Sequence, residues 1–203
     1  MAESNDDGPK PSRFFAAYEG TPPWDIGRPQ PAVVELVAAG LVKGPVLDVG
    51  CGSGENAIHL AAKGHAVMGV DLVPLAIDKA RQKAQARGVE LDLVVGDALA
   101  LGALGRTFAT VIDSAVFHVF SDDARPRYVE SLAGVLEPGG RYYMLVFSDR
   151  EPADWGGPRR IRKDEIESSF SRGWRVLSIE EARFATNFHE HGGHAWLATI
   201  ERR

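Results

Sequence analysis

Pro45-Val46-Leu47-Asp48-Val49-Gly50-Cys51-Gly52-Ser53-Gly54-Glu55 is the stretch whose reading decides the fold. Its first five residues are short, apolar and β-branched, as a buried parallel strand requires. Glycines then alternate with small residues, and Ala57, Ile58, Leu60, Ala61 and Ala62 recur on one helical face. The local order is strand, glycine turn, helix. Such a turn lets a ligand lie against bare backbone, with the N–H groups and the positive dipole end of the new helix aimed at it. A nucleotide-like cofactor is expected here.

Spacing decides which kind. The dinucleotide fingerprint G-x-G-x-x-G, counted from Gly50 and Gly52, places its third position at Glu55 and fails. What is present is G-x-G-x-G with Asp48 two residues ahead, inside the strand. A second acid, Asp71, ends the next apolar run, His65 to Val70, one strand over, where a ribose diol would lie. A glycine triplet alone also describes an ordinary tight turn; paired with Asp71 at this distance it is a strong signal. Asp48 within an apolar strand needs backbone donors or water, and its expected role is to brace the turn.

Matches continue down the chain in order: the glycine turn, Asp71-Leu72, Gly96-Asp97-Ala98 after a third strand, and Glu137-Pro138-Gly139-Gly140 before a fifth. Over Val46 to Phe147 this series resembles the class I S-adenosylmethionine-dependent methyltransferases. Upstream, Pro22-Pro23-Trp24-Asp25-Ile26-Gly27-Arg28-Pro29-Gln30-Pro31 looks like the leader of the thiopurine, thiol and halide methyltransferases, and bacterial heterocyclic-toxin methyltransferases are similar over most of the chain. The resemblance implies an α/β, Rossmann-like fold: a seven-stranded, mostly parallel sheet with an antiparallel C-terminal strand pair and helices on both faces. It implies S-adenosyl-L-methionine as cofactor, leaving S-adenosyl-L-homocysteine. Gly50, Cys51, Gly52 and Gly54 would face its amino-acid and ribose portions, Asp71 with Leu72 the ribose, and Asp97 with Ala98 the adenine edge. Trp24 and Arg28 would cover the methionine end, while Asp48 and Asp113 complete the implied cofactor set. Carboxylates suit these tasks, since they accept from hydroxyls and from an exocyclic amine.

Composition agrees with a small-molecule enzyme. The 203 residues suit one domain, and 44% hydrophobic content is ordinary for a soluble protein. Net charge is −5 with both signs interspersed, so the basic footprint that attracts nucleic acid is missing, and Asp113-Ser114-Ala115-Val116 stands where a base-flipping motif would be. No apolar run approaches a membrane span and the polar start carries no signal-peptide core, which predicts a cytoplasmic protein. The single cysteine, Cys51, reads as a small turn residue. His189, His191 and His194 share a loop without acidic or cysteine partners at ligand spacing, and no metal is expected. Oligomeric state is not legible.

One domain of four segments is expected: residues 1–12 disordered, 13–44 covering cofactor and substrate, 45–147 the cofactor-binding core, and 148–203 a C-terminal helix and antiparallel strands. Helices are predicted over Pro31 to Ala39, from Pro74 to Gly88, over Asp122 to Leu136 and near Lys163 to Phe170. Strands are predicted over Leu91 to Val95, Phe108 to Asp113, Arg141 to Phe147, Trp174 to Phe184 and Ala195 to Glu201.

Methyl transfer is an in-line displacement, so aligning the nucleophile can supply much of the acceleration and a dedicated base is not required. His118, just after the fourth strand, is the candidate for proton handling or anion binding. The acceptor pocket is expected to draw on Phe14, Phe15, Tyr18, Phe117, His118 and Trp155, with the N-terminal segment as a lid. Two rivals share the strand-turn-helix: a nicotinamide-dependent oxidoreductase, disfavoured by Glu55 at the third glycine position, and a catalytically inactive S-adenosylmethionine-binding domain.

Overall fold

Pro45 to Val49 behaves as its composition dictates. In the computed structural model, which describes residues 11–152, 154 and 156–203, it yields β1 (Val46–Val49), buried along its whole length. Four further strands lie parallel to it: β2 (Val67–Asp71), β3 (Asp92–Val95), β4 (Phe108–Ser114) and β5 (Leu136–Phe147). The last two, β6 (Trp174–Phe184) and β7 (Gly193–Arg202), pair antiparallel, and β7 inserts between β5 and β6. The order β3-β2-β1-β4-β5-β7-β6 changes its direction of growth between β1 and β4. A crevice therefore opens at the carboxyl ends of those two strands, where ligands of open α/β sheets bind.

Helices α1 (Pro11–Glu19), α2 (Pro31–Ala38), α3 (Glu55–Ala62), α4 (Pro74–Ala86), α5 (Arg125–Val135) and α6 (Lys163–Ser169) flank this sheet. Proline opens α2 and α4, where its missing N–H costs nothing and its fixed φ suits a first turn. Alternation along each strand separates two cores. Val46, Ile112 and Tyr143 meet Val33 and Leu36 of α2 and Ala57 and Leu60 of α3. Leu47, Val49, Val111 and Met144 face the other way, against Tyr128 and Leu132 of α5 and Ile166 of α6. Ile77 and Ala80 of α4 pack on Leu93 and Cys51.

Several boundaries differ from expectation, and three matter most. Helix α1 starts at Pro11, two residues inside the 1–12 stretch, and Phe14 and Tyr18, one turn apart in it, pack with Trp24 and Val73; residues 1–10 lie outside the described chain. The helix expected over Asp122 to Leu136 spans Arg125–Val135, and β5 begins at Leu136 instead of Arg141. Leu136 already pairs with Phe108, and the Pro138-Gly139 step is absorbed as an irregularity before Arg141 pairs with Thr110.

Asp113 corrects the sequence reading more sharply. It pairs with Val49 on β1 and points to the α5 side of the sheet, away from the crevice. There its carboxylate accepts from the Tyr142 hydroxyl at 2.6 Å, the Tyr128 hydroxyl at 2.8 Å and the amides of Val116 and Phe117 at 2.7 and 3.1 Å. Burial pushes its pKa up to about 6 against the pull of these bonds. It is a structural knot joining β4, β5, α5 and the turn after β4, and not a cofactor ligand. Asp113→Ala would leave buried hydroxyls and amides without partners and is expected to cost about 3 kcal/mol, read from urea unfolding.

Candidate active site

The first β-α corner is built by glycine geometry. Gly50 and Gly52 have φ of 62° and 56°, a region that side chains disfavour. A Cβ at Gly50 would strike Val116, and one at Gly52 would strike the Tyr18 hydroxyl. Gly54 serves a different need: a Cβ there would lie 2.8 Å from that of Ala80, so it lets α3 and α4 pack closely and does not face the cleft. The Cys51 side chain likewise turns into the Ile77, Ala80 and Leu93 cluster, leaving its backbone beside the cleft. Together Gly50, Cys51, Gly52, Trp24, Arg28 and Tyr18 line one depression.

Asp71 ends β2 beside this corner. One carboxylate oxygen accepts from the Gly52 amide at 2.8 Å and the other from Val73 at 2.9 Å. Burial raises its pKa and the two amides oppose that rise. Each oxygen keeps a further lone pair for a ligand. Leu72 next to it is 39% exposed. Asp97 caps the short 3-10 helix Ala98–Leu104, accepting from the Leu99 amide at 2.8 Å with one oxygen. Asp48 is 1% exposed and its Oδ2 has no partner. Burial pushes its pKa up to about 8, a hydrogen bond from the Ala57 backbone works the other way, and Asp71 and Asp113 add to the rise.

The leader folds over the corner. Trp24 donates from Nε1 to the Tyr18 hydroxyl at 3.0 Å, and the two rings meet edge to face. Asp25 accepts from Ser53 Oγ at 2.6 Å and from Lys83 Nζ at 3.2 Å; burial disfavours its charge, but these donors hold its pKa below the ordinary value. Lys83 also reaches Glu55 at 2.9 Å, and Arg87 pairs with the same carboxylate at 2.8 Å, which accounts for an acid at the third glycine position. One turn back, Lys79 donates to the carbonyls of Tyr18 and Gly20 at 2.7 and 2.6 Å, closing the C-terminal end of α1. On the opposite flank, the Gln30 amide makes a two-way bond with the backbone of Ala185, both at 2.9 Å, and the Asn187 side chain donates to the Asp25 carbonyl at 2.8 Å.

The aromatic set resolves differently from its sequence reading. Tyr18 stands at the cleft, Phe14 backs Trp24, and Phe15 is 43% exposed on the outer side of α1. Phe117 is fully buried against Phe170 and under the Arg125 guanidinium, so it is core and does not line the pocket. Trp155 lies outside the described residues. His118 is 4% exposed; its ring stacks on Phe147 at 5.7 Å and is tilted against Phe184 at 6.5 Å. Phe184 lines the cleft together with Gln30, Asn56 and Ser114. Sequence reasoning singled out the stretch after the fourth strand that begins at Ser114 but missed Gln30, Asn56 and Phe184. Gln30 sits inside the quoted leader and was findable there; nothing marks Phe184 before β6 is placed.

Two outcomes follow. Asp48 binds its proton more tightly in the folded chain than at its ordinary pKa of 3.8, so stability falls as pH rises from there toward about 8. Asp48→Asn should flatten this dependence, with the melting temperature of the wild type dropping more steeply than that of the variant between those limits. Lys83→Met should speed limited proteolysis within residues 20–30 while moving the global unfolding midpoint little, because the pairs it breaks are partly exposed.

Similarity to known proteins gives the family. A family model described as a methyltransferase domain matches residues 46–140. The 2-heptyl-1-hydroxyquinolin-4(1H)-one methyltransferase of Mycobacteroides abscessus is 36% identical over 189 residues, 92% of this chain and 82% of its own. A probable thiol methyltransferase 2 of Arabidopsis thaliana is 26% identical over 82% of this chain and 74% of its own. A structure solved in work on the conversion of a disulfide bond into a thioacetal group during echinomycin biosynthesis superposes with a TM-score of 0.87 at 40% identity, over 94% of this chain and 92% of the other. The magnesium protoporphyrin IX methyltransferase of Synechocystis PCC 6803, solved with S-adenosylmethionine bound, shares the fold at a TM-score of 0.65 and 24% identity, over 85% and 76% of the two chains. This sheet order, with a glycine corner braced by the Asp71 carboxylate and with these relatives, places the chain in the S-adenosylmethionine-dependent methyltransferases.

Proposed function

We propose that this enzyme methylates an O, S or N atom of a small aromatic or heterocyclic acceptor, and that it works in the cytoplasm. One observation carries the acceptor class: the cleft that begins at the glycine cradle is walled by Trp24, Tyr18 and Phe184, with Phe147 and His118 stacked behind Phe184. Flat aromatic walls hold a flat ring and keep water away from a sulfonium. Its relatives include a methyltransferase named for a hydroxyquinolone and a probable thiol methyltransferase, in keeping with this reading. No helix among the described residues is long and apolar enough to cross a membrane.

The residues fit the cofactor. S-adenosylmethionine, when bound, supplies an electrophilic methyl group on a positively charged sulfur. The cradle at Gly50 and Gly52 has no room for a Cβ and presents bare backbone, and the unpartnered Oδ2 of Asp48 is a buried acceptor suited to an ammonium or its water. Asp71 is pre-aimed by two backbone amides and keeps lone pairs for ribose hydroxyls. Asp97 with the Ala98 amide is assigned the adenine edge, and Arg28, exposed at the mouth of the cleft, the methionine carboxylate. Trp24 closes that end, and its bond to Tyr18 fixes the ring in place. The protein's contribution to rate is then alignment and exclusion of water.

Calorimetric titration with S-adenosylhomocysteine, followed by labelled methyl transfer onto a panel of thiols, phenols, hydroxyquinolines and halide, tests the assignment. Binding and transfer to an aromatic member of the panel are expected. Tight binding with no transfer to any member would overturn it in favour of a cofactor-binding domain. Asp71→Ala should weaken S-adenosylhomocysteine by about 1–3 kcal/mol, the cost of losing charged hydrogen bonds.

A further inference from the structure

Gln30 is the N-cap of α2, yet its side chain makes no cap bond, a task to which the shorter Ser, Asp and Asn are better suited. The longer side chain reaches β6 instead. Its Oε1 accepts from the Ala185 amide and its Nε2 donates to the Ala185 carbonyl, both at 2.9 Å, across 155 residues of chain. One side-chain amide thus satisfies a whole backbone unit, as a neighbouring strand would, at the residue that follows Phe184 where β6 ends. Gln30 is 4% exposed, so breaking either half leaves a buried polar group unpaired. Two residues on, Ala32 packs with Phe184, Phe147 and Ala195. The place of the Phe184 ring at the cleft is therefore set from α2 as well as from β7.

The same residue is tied to the cofactor corner. Its amide donates at 2.9 Å to Oδ1 of Asn56, in the first turn of α3 just after the glycine turn. Ahead of it runs the leader, in which only Pro22 is buried between Gly20 and Pro29. A segment with so little buried surface opens at low cost. Its ties are polar: Asp25 to Ser53 and Lys83, Trp24 to Tyr18, and Asn187, whose amide donates to the Pro23 carbonyl at 2.9 Å and whose side chain donates to the Asp25 carbonyl at 2.8 Å. Trp24 and Arg28 of this leader line the cleft together with Gly50 and Gly52.

We propose that Gln30 is a positioning residue that couples cofactor to acceptor: with S-adenosylmethionine held under the leader, Gln30 pins the backbone beside Phe184 and completes the acceptor wall, so that each ligand raises the affinity of the other. The inference rests on the aromatic-acceptor reading above. A ligand under Trp24 and Arg28 gains those contacts only while the leader is down, and a flat ring gains a fixed Phe184 only in the same arrangement. Both ligands then favour one state, and by linkage the gain is equal in either direction.

Hydrogen exchange of the full chain, with and without S-adenosylhomocysteine, reads this coupling without any acceptor. In the wild type, S-adenosylhomocysteine is expected to slow exchange in residues 20–30 and in residues 184–187 together. Gln30→Met, similar in length but without the amide, should keep the first effect and lose the second. Gln30→Glu keeps an oxygen for the Ala185 amide, loses the donor, and should fall between. In binding, S-adenosylhomocysteine should tighten 4-nitrophenol about 10-fold in the wild type and by no more than about 2-fold in Gln30→Met. Were the bond merely structural, Gln30→Met would raise basal exchange in residues 184–187 and leave the response to S-adenosylhomocysteine intact. That result, or a wild type in which residues 184–187 do not respond, would overturn the coupling. Coupled exchange with no binding of 4-nitrophenol, 4-nitrothiophenol or 8-hydroxyquinoline would overturn the aromatic-acceptor reading and leave the role of Gln30 standing.

Discussion

The site hangs on the carboxylate of Asp71, which ties the end of β2 to the Gly52 amide and to its own following turn. A turn of left-handed glycines is soft by itself. Anchoring Gly52 from the neighbouring strand removes that softness and sets the cradle against a defined acid. Three cleft residues from the N-terminal segment are referenced to this pair: Tyr18 lies over Gly52, Trp24 is bonded to Tyr18, and Asp25 reaches Ser53 of the same turn. A loosened Asp71 would disturb both halves of the site.

Buried acids in this chain meet different fates according to what surrounds them. Asp113 accepts four hydrogen bonds and acts as a knot in the core. Asp48, almost as buried, keeps one oxygen without a partner and holds its proton up to about 8. Asp71 lies between them, braced yet with capacity left over. Residue type and burial alone do not distinguish these roles. The donor count does, because an acceptor buried without donors is costly and one with spare lone pairs at a cleft is available to a ligand.

The N-terminal segment is not a loose cover. Lys79 and Lys83, successive turns of α4, hold it from one side, and Gln30 and Asn187 tether it to the β6–β7 connection on the other. Cofactor corner and acceptor wall are thereby joined through a strap of about ten residues, so ordering one side favours ordering the other. The strap also explains why the acceptor wall includes Phe184, from a strand remote in sequence.

Much of this was legible from the chain alone. Alternating apolar runs, prolines at helix starts and the glycine turn after Val49 are local signals, and they determined strand order class, helix placement and the glycine corner beside Asp71. What sequence could not separate was direction. Asp71 ends β2 and Asp113 stands one residue short of the end of β4, but register on β1 turns Asp113 into the α5 face. Phe117 and Phe184 are both aromatic, yet only the latter reaches the cleft. Lys79 and Lys83 read as an ordinary solvated face until α1 and the leader fold across it. Local composition specifies which elements form, since it sets propensity and periodicity; which side chains meet at the cleft is decided by pairings between residues as much as 165 apart, and those exist only once the sheet is assembled.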